Sequence, residues 1–208
     1  MQRGVYVMCV LFSWSPWSLQ VDSVLPENLN FTQENFVLSQ FMGKWYEVAV
    51  ASTCPHYTQR KRGNPVTVAL ELTHKTSESN FTMAASSVRN GSCQETSTVH
   101  SLTDTPGRFF HHVARFGADV DSIVVRTNYN DHAVMFLLST EKLSEEKTII
   151  FKLYSRSVDV SPAVLEDFKT LIRLHGMNEG AVIVNQYEGE CAAGEEVTEP
   201  TTQPQDET

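Results

Sequence analysis

Nowhere does the 208-residue chain hold an apolar run near the roughly 20 residues that a membrane-spanning helix needs. That excludes a helical span. Enzyme signatures are missing as well. There is no Gly-x-Ser-x-Gly nucleophile turn, no phosphate-binding loop and no paired His-Glu motif, so common hydrolase machinery is excluded. The seven histidines form no chelating pattern. His111 and His112 are consecutive on a strand-like run and point to opposite faces, so the pair cannot chelate, and no metal is expected. His132 reads as a turn residue and His175 as a helix-end cation. Basic charge is scarce too: 16 Lys and Arg stand against 25 acids, a formal net charge of −9, which argues against a nucleic-acid surface. No internal repeat is present, which excludes a solenoid.

What is there begins with an address. Arg3 gives a weak positive start, Val5 to Phe12 is nearly unbroken apolar, and Ser13, Ser15 and Ser18 lead to Gln20. Residues 1–20 are expected to be a secretory signal peptide, although no Ala-x-Ala pattern fixes the cleavage point. Three glycosylation sequons fit export: Asn30-Phe31-Thr32, Asn80-Phe81-Thr82 and Asn90-Gly91-Ser92. Cys9 falls in the leader, so Cys54, Cys93 and Cys191 remain. In an oxidising compartment an odd count means one bridge and one leftover thiol. Cys191 follows the last strand-like run and would pin a C-terminal segment to the domain. Cys93 opens a strand in mid-domain and is its expected partner. Cys54 is then free, or paired outside this chain. Residues 192–208 carry five of the acids and no base, and are expected to be a disordered acidic tail. The domain between is 21–191.

From Trp45 onward, runs rich in Val, Ile, Thr and aromatics recur between turn residues. They cover 45–52, 65–73, 80–88, 93–101, 108–116, 121–128, 132–140 and 147–155. Short connections predict antiparallel neighbours, and eight such strands predict a closed all-β up-and-down barrel without exposed edges. Residues 122–125 and 133–138 are apolar on both faces. A hollow barrel with an apolar lumen and a helix against part of its outer wall would need that. The helix is legible at Ser161-Pro162, with Val164, Leu165, Phe168, Leu171 and Ile172 on one stripe and Gly176 as the stop. Glu166 and Asp167 lie towards its positive end. A short ninth strand is expected over 181–186. The stretch containing Phe36 should cap the closed end.

Three motifs now bear on each other. Gly43-x-Trp45 opens the first strand, Thr127-Asn128-Tyr129 follows the sixth, and Arg156 follows the eighth. This combination resembles the lipocalin family, in which the arginine stacks on the motif tryptophan at the closed end. The family often has Asp where Asn128 stands. Further segments extend the resemblance over about residues 26–197, notably Ala51-Ser52-Thr53-Cys54-Pro55, Cys93-Gln94-Glu95-Thr96, Lys152-Leu153-Tyr154 and Gly189-Glu190-Cys191. The resemblance implies a secreted eight-stranded barrel with one C-terminal helix outside, carrying small hydrophobic ligands or haem-like pigments, with a reactive thiol at the open rim. It also implies a Cys93–Cys191 bridge. Members of one branch are made fused to a pair of Kunitz inhibitor domains behind a basic cleavage site. No base follows Cys191, so a stand-alone or already separated unit is expected. Toxin-binding members of the family keep another ligand class open.

Cys54 is the sharpest chemical candidate. Pro55 turns the chain away from it, and His56, Arg60, Lys61 and Arg62 follow closely, a charge pattern that favours a thiolate. Cys-Pro is also a haem-thiolate context. Lys152 and Tyr154 share a strand face. The resemblance makes Lys152 one of three lysines that assist the thiol, but Val113 and Ser139 stand where the other two would be. Two of the three being absent leaves at most a weak thiol reductase activity, and the chain is read as a non-enzyme. By the same match Val113 faces the lumen, so His111 does too and is a candidate axial haem ligand. The predicted ligand contacts are Cys54, His56, His111, Lys152 and Tyr154. The alternative role for Cys54 is a mixed disulfide to a plasma protein. No cofactor is expected to be required.

Overall fold

The computed structural model describes residues 32–191. The leader, Asn30 and the tail from residue 192 lie outside the described residues. Nine strands form one antiparallel sheet: β1 (Gly43–Ser52), β2 (Val68–His74), β3 (Asn80–Arg89), β4 (Ser92–Leu102), β5 (Arg108–Val113), β6 (Ala118–Thr127), β7 (His132–Glu141), β8 (Lys147–Ser155) and β9 (Ile183–Val184). Strands β2 to β8 follow in sequence order, β8 pairs with β1, and β1 returns to β2, closing an eight-stranded barrel. β9 lies beyond it, on the far half of β1. Three helices complete the fold: α1 (Leu38–Phe41), α2 (Pro55–Gly63) and α3 (Pro162–Leu174).

The hairpins follow local chemistry. Asn90 and Gly91, both with positive φ (51° and 75°), make the two-residue turn between β3 and β4, a geometry that matches strand twist. Gly43 sits at φ 87°, where an added Cβ would strain the chain beside the Arg156 guanidinium. α3 starts on a Ser161 side-chain cap with Pro162 in its first turn. Its Phe168 and Ile172 are fully buried against the barrel's outer wall, with Tyr46, Val48, Ile123, Val134, Phe151 and Leu153. That wall is why residues 122–125 and 133–138 are apolar on both faces.

Alternation is broken once where it matters. A bulge between Glu47 and Ala49 shifts the β1–β8 register, so that Glu47 opposes Tyr154 and Val50 opposes Lys152. The two inward positions of β1 are thus three apart instead of two.

Four sequence expectations need correction. The second run does not begin at 65: α2 and its exit occupy the chain until Val68, while Val66 makes only a parallel bridge to Gln186. The fifth run stops at Val113, because Ala114–Phe116 turn as a 3-10 helix into Gly117 in the left-handed region. The ninth strand is two residues long, not six, since β1 offers it only Ala49 and Val50. Glu166 and Asp167 fall in the second turn of α3, leaving its first turn without an acid.

Candidate functional site

At one end the barrel is filled. Trp45 is fully buried, its indole N–H donates to the Phe41 carbonyl at 2.7 Å, and the Arg156 guanidinium lies 3.6 Å from its ring centre. Arg156 also donates to the carbonyls of Tyr129, Lys44, Gln40 and Met42, tying α1 and two loops together. Asn128 Oδ1 accepts from the amides of Asp131 and His132. Thr127 Oγ1 donates to the His132 carbonyl and accepts from the Tyr129 amide, and the Tyr129 hydroxyl accepts from the Val37 amide. Phe36 packs on Phe41, Phe109 and Tyr129. Every motif residue therefore works on the seal.

The other end is open. It holds a cavity of about 840 Å³, a typical size for a small-molecule site, with Val113, Val120, Leu137 and Ile150 among its apolar walls. Cys54, half-buried and unbridged, stands at the rim as the N-cap of α2, with Pro55 opening the helix. His56, Tyr57 and Arg60 of α2 lean over the mouth, and His111, Ser139 and Lys152 reach the cavity from the walls. So Cys54, Lys152 and the two substituted lysine positions, Val113 and Ser139, do share one chamber. Tyr154 does not line it. It is buried one level below, among Trp45, Leu70 and Val124 in the sealed core.

The expected basic surround of the thiol is revised. Lys61 does not sit beside the thiol: it turns inward from α2, and its ammonium donates to Glu47 at 3.0 Å and to the Val66 carbonyl at 2.9 Å. Arg62 binds the Gly180 carbonyl instead. Lys152 is ion-paired in the chamber wall. Its Nζ is 2.8 Å from the second Glu47 oxygen, and its side chain is 22% exposed. Burial alone would push the Glu47 carboxyl up; the Lys152 and Lys61 ammonium groups outweigh it and hold the group at about 2. Burial would lower Lys152, yet Glu47 keeps it raised well above its ordinary value. Asn185 completes the cluster, donating to the Glu47 carbonyl at 2.7 Å.

Two further groups were missed in the sequence. Tyr57 lines the cavity, and burial followed by the Glu47 charge pushes its hydroxyl to about 12. His100 is buried between Phe81 and His111, with ring centres 4.9 and 4.3 Å away. Burial, then His111 and Lys152, hold it at about 3, so it stays neutral. His111 is likewise lowered by burial and by Lys152. The Nδ1 atoms of both rings are buried without a partner. Outside the barrel, His112 pairs with Asp119, which confirms that the two consecutive histidines diverge. His132 contacts Asp131 at the start of β7, and His175 caps α3.

The Cys93–Cys191 bridge is present. It anchors the chain after β9 to the start of β4, and Lys44 and Tyr46 both bond Glu190 beside it. A second concavity, of about 480 Å³, lies outside the barrel between this segment and β2–β4. Asn90 is exposed in its turn and Asn80 is half-buried at the start of β3.

A closed antiparallel barrel with a sealed base and a roofed apolar cavity defines a ligand-enclosing class of proteins. The chain belongs to the lipocalin / cytosolic fatty-acid binding protein family, whose model matches residues 42–188. Among curated relatives, it is 43% identical over 201 residues to Protein AMBP (alpha-1-microglobulin) of Pleuronectes platessa, covering 97% of this chain and 56% of the relative. To Protein AMBP of Mus musculus it is 34% identical over 170 residues, covering 82% and 48%. The chain thus spans about half the length of the curated relatives it matches. A solved structure of the siderocalin Ex-FABP shares the fold, with a TM-score of 0.60 at 23% identity over 72% of this chain and 96% of that one.

Proposed function

We propose that the protein is a secreted carrier or scavenger that takes a small hydrophobic ligand into the open-end cavity. One observation carries this reading: the apolar chamber opens directly beside an unbridged cysteine. Burial of ligand surface supplies the affinity, at about 25 cal/mol per Å² of apolar area. The thiol of Cys54 then traps or reduces reactive species that reach the mouth. Secretion is supported by the disulfide and by an exposed sequon at Asn90. A role as carrier and not catalyst is supported by Val113 and Ser139, which leave Lys152 as the one lysine on the chamber wall.

Haem is a specific candidate cargo, because the His111 ring lines the chamber. Titration with haemin, followed through the Soret band, tests it. The expected result is a saturable shift that His111→Ala abolishes and Cys54→Ser alters. No saturable change in the unmodified protein would remove haem from the list of cargoes. The half-exposed thiol also supports a second reading, in which Cys54 forms a mixed disulfide with a plasma protein. Non-reducing electrophoresis of protein taken from its native fluid separates the two. A purely monomeric band would dismiss the partner.

A further inference from the structure

We propose that the protein self-associates through the free edge of β4, two copies pairing antiparallel about Thr96. This surface lies outside the cavity and is independent of the cargo. The barrel closes, but one of its ladders is short. β4 pairs with β3 without a register shift, from Arg89 opposite Ser92 to Asn80 opposite Ser101. Against β5 it makes only two pairs, Ser101 with Phe110 and Leu102 with Phe109. In that register Thr98 would stand level with Val113, the last residue of β5. Residues 92–97 therefore run past the end of β5, and no described strand meets them on that side. Gln94, Glu95, Thr96 and Ser97 are all exposed. About half of their backbone N–H and C=O groups point along the open side, a ready template for another strand.

The occupant that fits this edge is a second copy of the chain. Native edges are blunted by lysine, proline or a bulge. β4 contains no lysine, arginine or proline, and its ladder with β3 is unbroken, so none of these devices is present. Thr96, Thr98 and Val99 stand there instead, residue types that suit a strand. Charge and side-chain direction set the register. A two-fold axis normal to the sheet must pass through a residue, because only then do opposed side chains share a face. An axis at Glu95 would set two carboxylates against each other, which is destabilising. An axis at Ser97 would carry the ladder onto His100, which is buried. An axis at Thr96 opposes Thr96 to its own copy, Glu95 to Ser97 and Gln94 to Thr98. No like charges meet, and the Thr–Thr pair is favourable. A ladder of about five residues a side falls short of the roughly 1,000 Å² of a stable interface, so the dimer is weak and reversible. Asn90 is exposed in the turn before β4, where a glycan would crowd the ladder.

Sedimentation velocity of the purified protein tests this, from about 10 µM to about 1 mM, the range of weak association. A Cys54→Ser background excludes covalent dimers, and endoglycosidase treatment removes any glycan at Asn90. The expected result is a monomer–dimer equilibrium with a Kd on the order of 100 µM. Thr96→Lys and Thr96→Glu should each weaken it at least about tenfold, because like charges meet at the axis. An equimolar mixture of the two should restore it. Ser97→Lys should tighten it about threefold, since each introduced ammonium faces Glu95 of the other copy. Both positions are exposed, so the barrel itself is left intact. A monomer throughout the range overturns the proposal. So does a dimer unchanged in both Thr96 variants, or one weakened by Ser97→Lys, because the pairing would then lie elsewhere or in another register. Capture of an uncharged Thr-Val repeat peptide by a chain that stays monomeric overturns it as well, and assigns the edge to an extended peptide.

Discussion

The two ends of this barrel use the same ingredients for opposite purposes. At the closed end a cation, Arg156, spends its guanidinium on four backbone carbonyls and the Trp45 face, leaving nothing for a guest. At the open end two cations share one carboxylate, the His111 ring has a nitrogen without a partner, and a thiol stands unbridged. Satisfied polar groups make a seal; unsatisfied ones make a site. Stability and function are thereby separated along the same strands, with β1 carrying Trp45 at its start and leading to Cys54 just past its end.

That separation is breakable by substitution. The largest effect is expected from Trp45→Ala, which leaves a void under Arg156 and should cost about 4 kcal/mol in urea unfolding. Next is Glu47→Gln, which strands two buried ammonium groups without a counter-charge and should cost about 3 kcal/mol by the same measurement. A smaller loss is expected on acidification. The unfolded chain protonates His100 near 6.5 and Glu47 near 4.5, whereas the folded chain holds them to about 3 and about 2. Both folded values are depressed, so their stabilisation is present at neutral pH and is lost as pH falls. Melting curves should decline from about pH 6 towards pH 2, by a few kcal/mol in all. His100→Phe should flatten the upper part of that decline. The smallest effect on stability belongs to Cys54→Ser, within about 0.5 kcal/mol, although it should abolish the reaction that Cys54 gives with a thiol-selective disulfide reagent.

The closed end was far easier to read in the sequence than the open one. Gly43-x-Trp45, Thr127-Asn128-Tyr129 and Arg156 are short motifs, and strand periodicity gave the barrel that joins them. α2 escaped because residues 55–63 show no apolar stripe; the helix is held by tertiary bonds, above all Lys61 to Glu47, and not by its own amphipathicity. The Glu47 cluster joins three distant segments, so no local pattern shows it. One signal was available: Trp45 faces the lumen, and Glu47, two residues on, must share its face. His100 gave less, since β4 alternates few apolar residues and its phase is not fixed by pattern. Tyr154 was placed in the site because it shares a face with Lys152. The face was right, but the residue is one level too deep.

The central claim is that cargo enters the chamber between Cys54 and Lys152 and nowhere else. Val113 lines that chamber and takes no part in the seal, so Val113→Trp fills the space without touching the closed end. Nile red fluorescence titration of this variant is the direct measurement. The account predicts at least about tenfold weaker binding than in the unsubstituted protein, with an unchanged melting temperature. Undiminished binding in a normally folded Val113→Trp protein would contradict it.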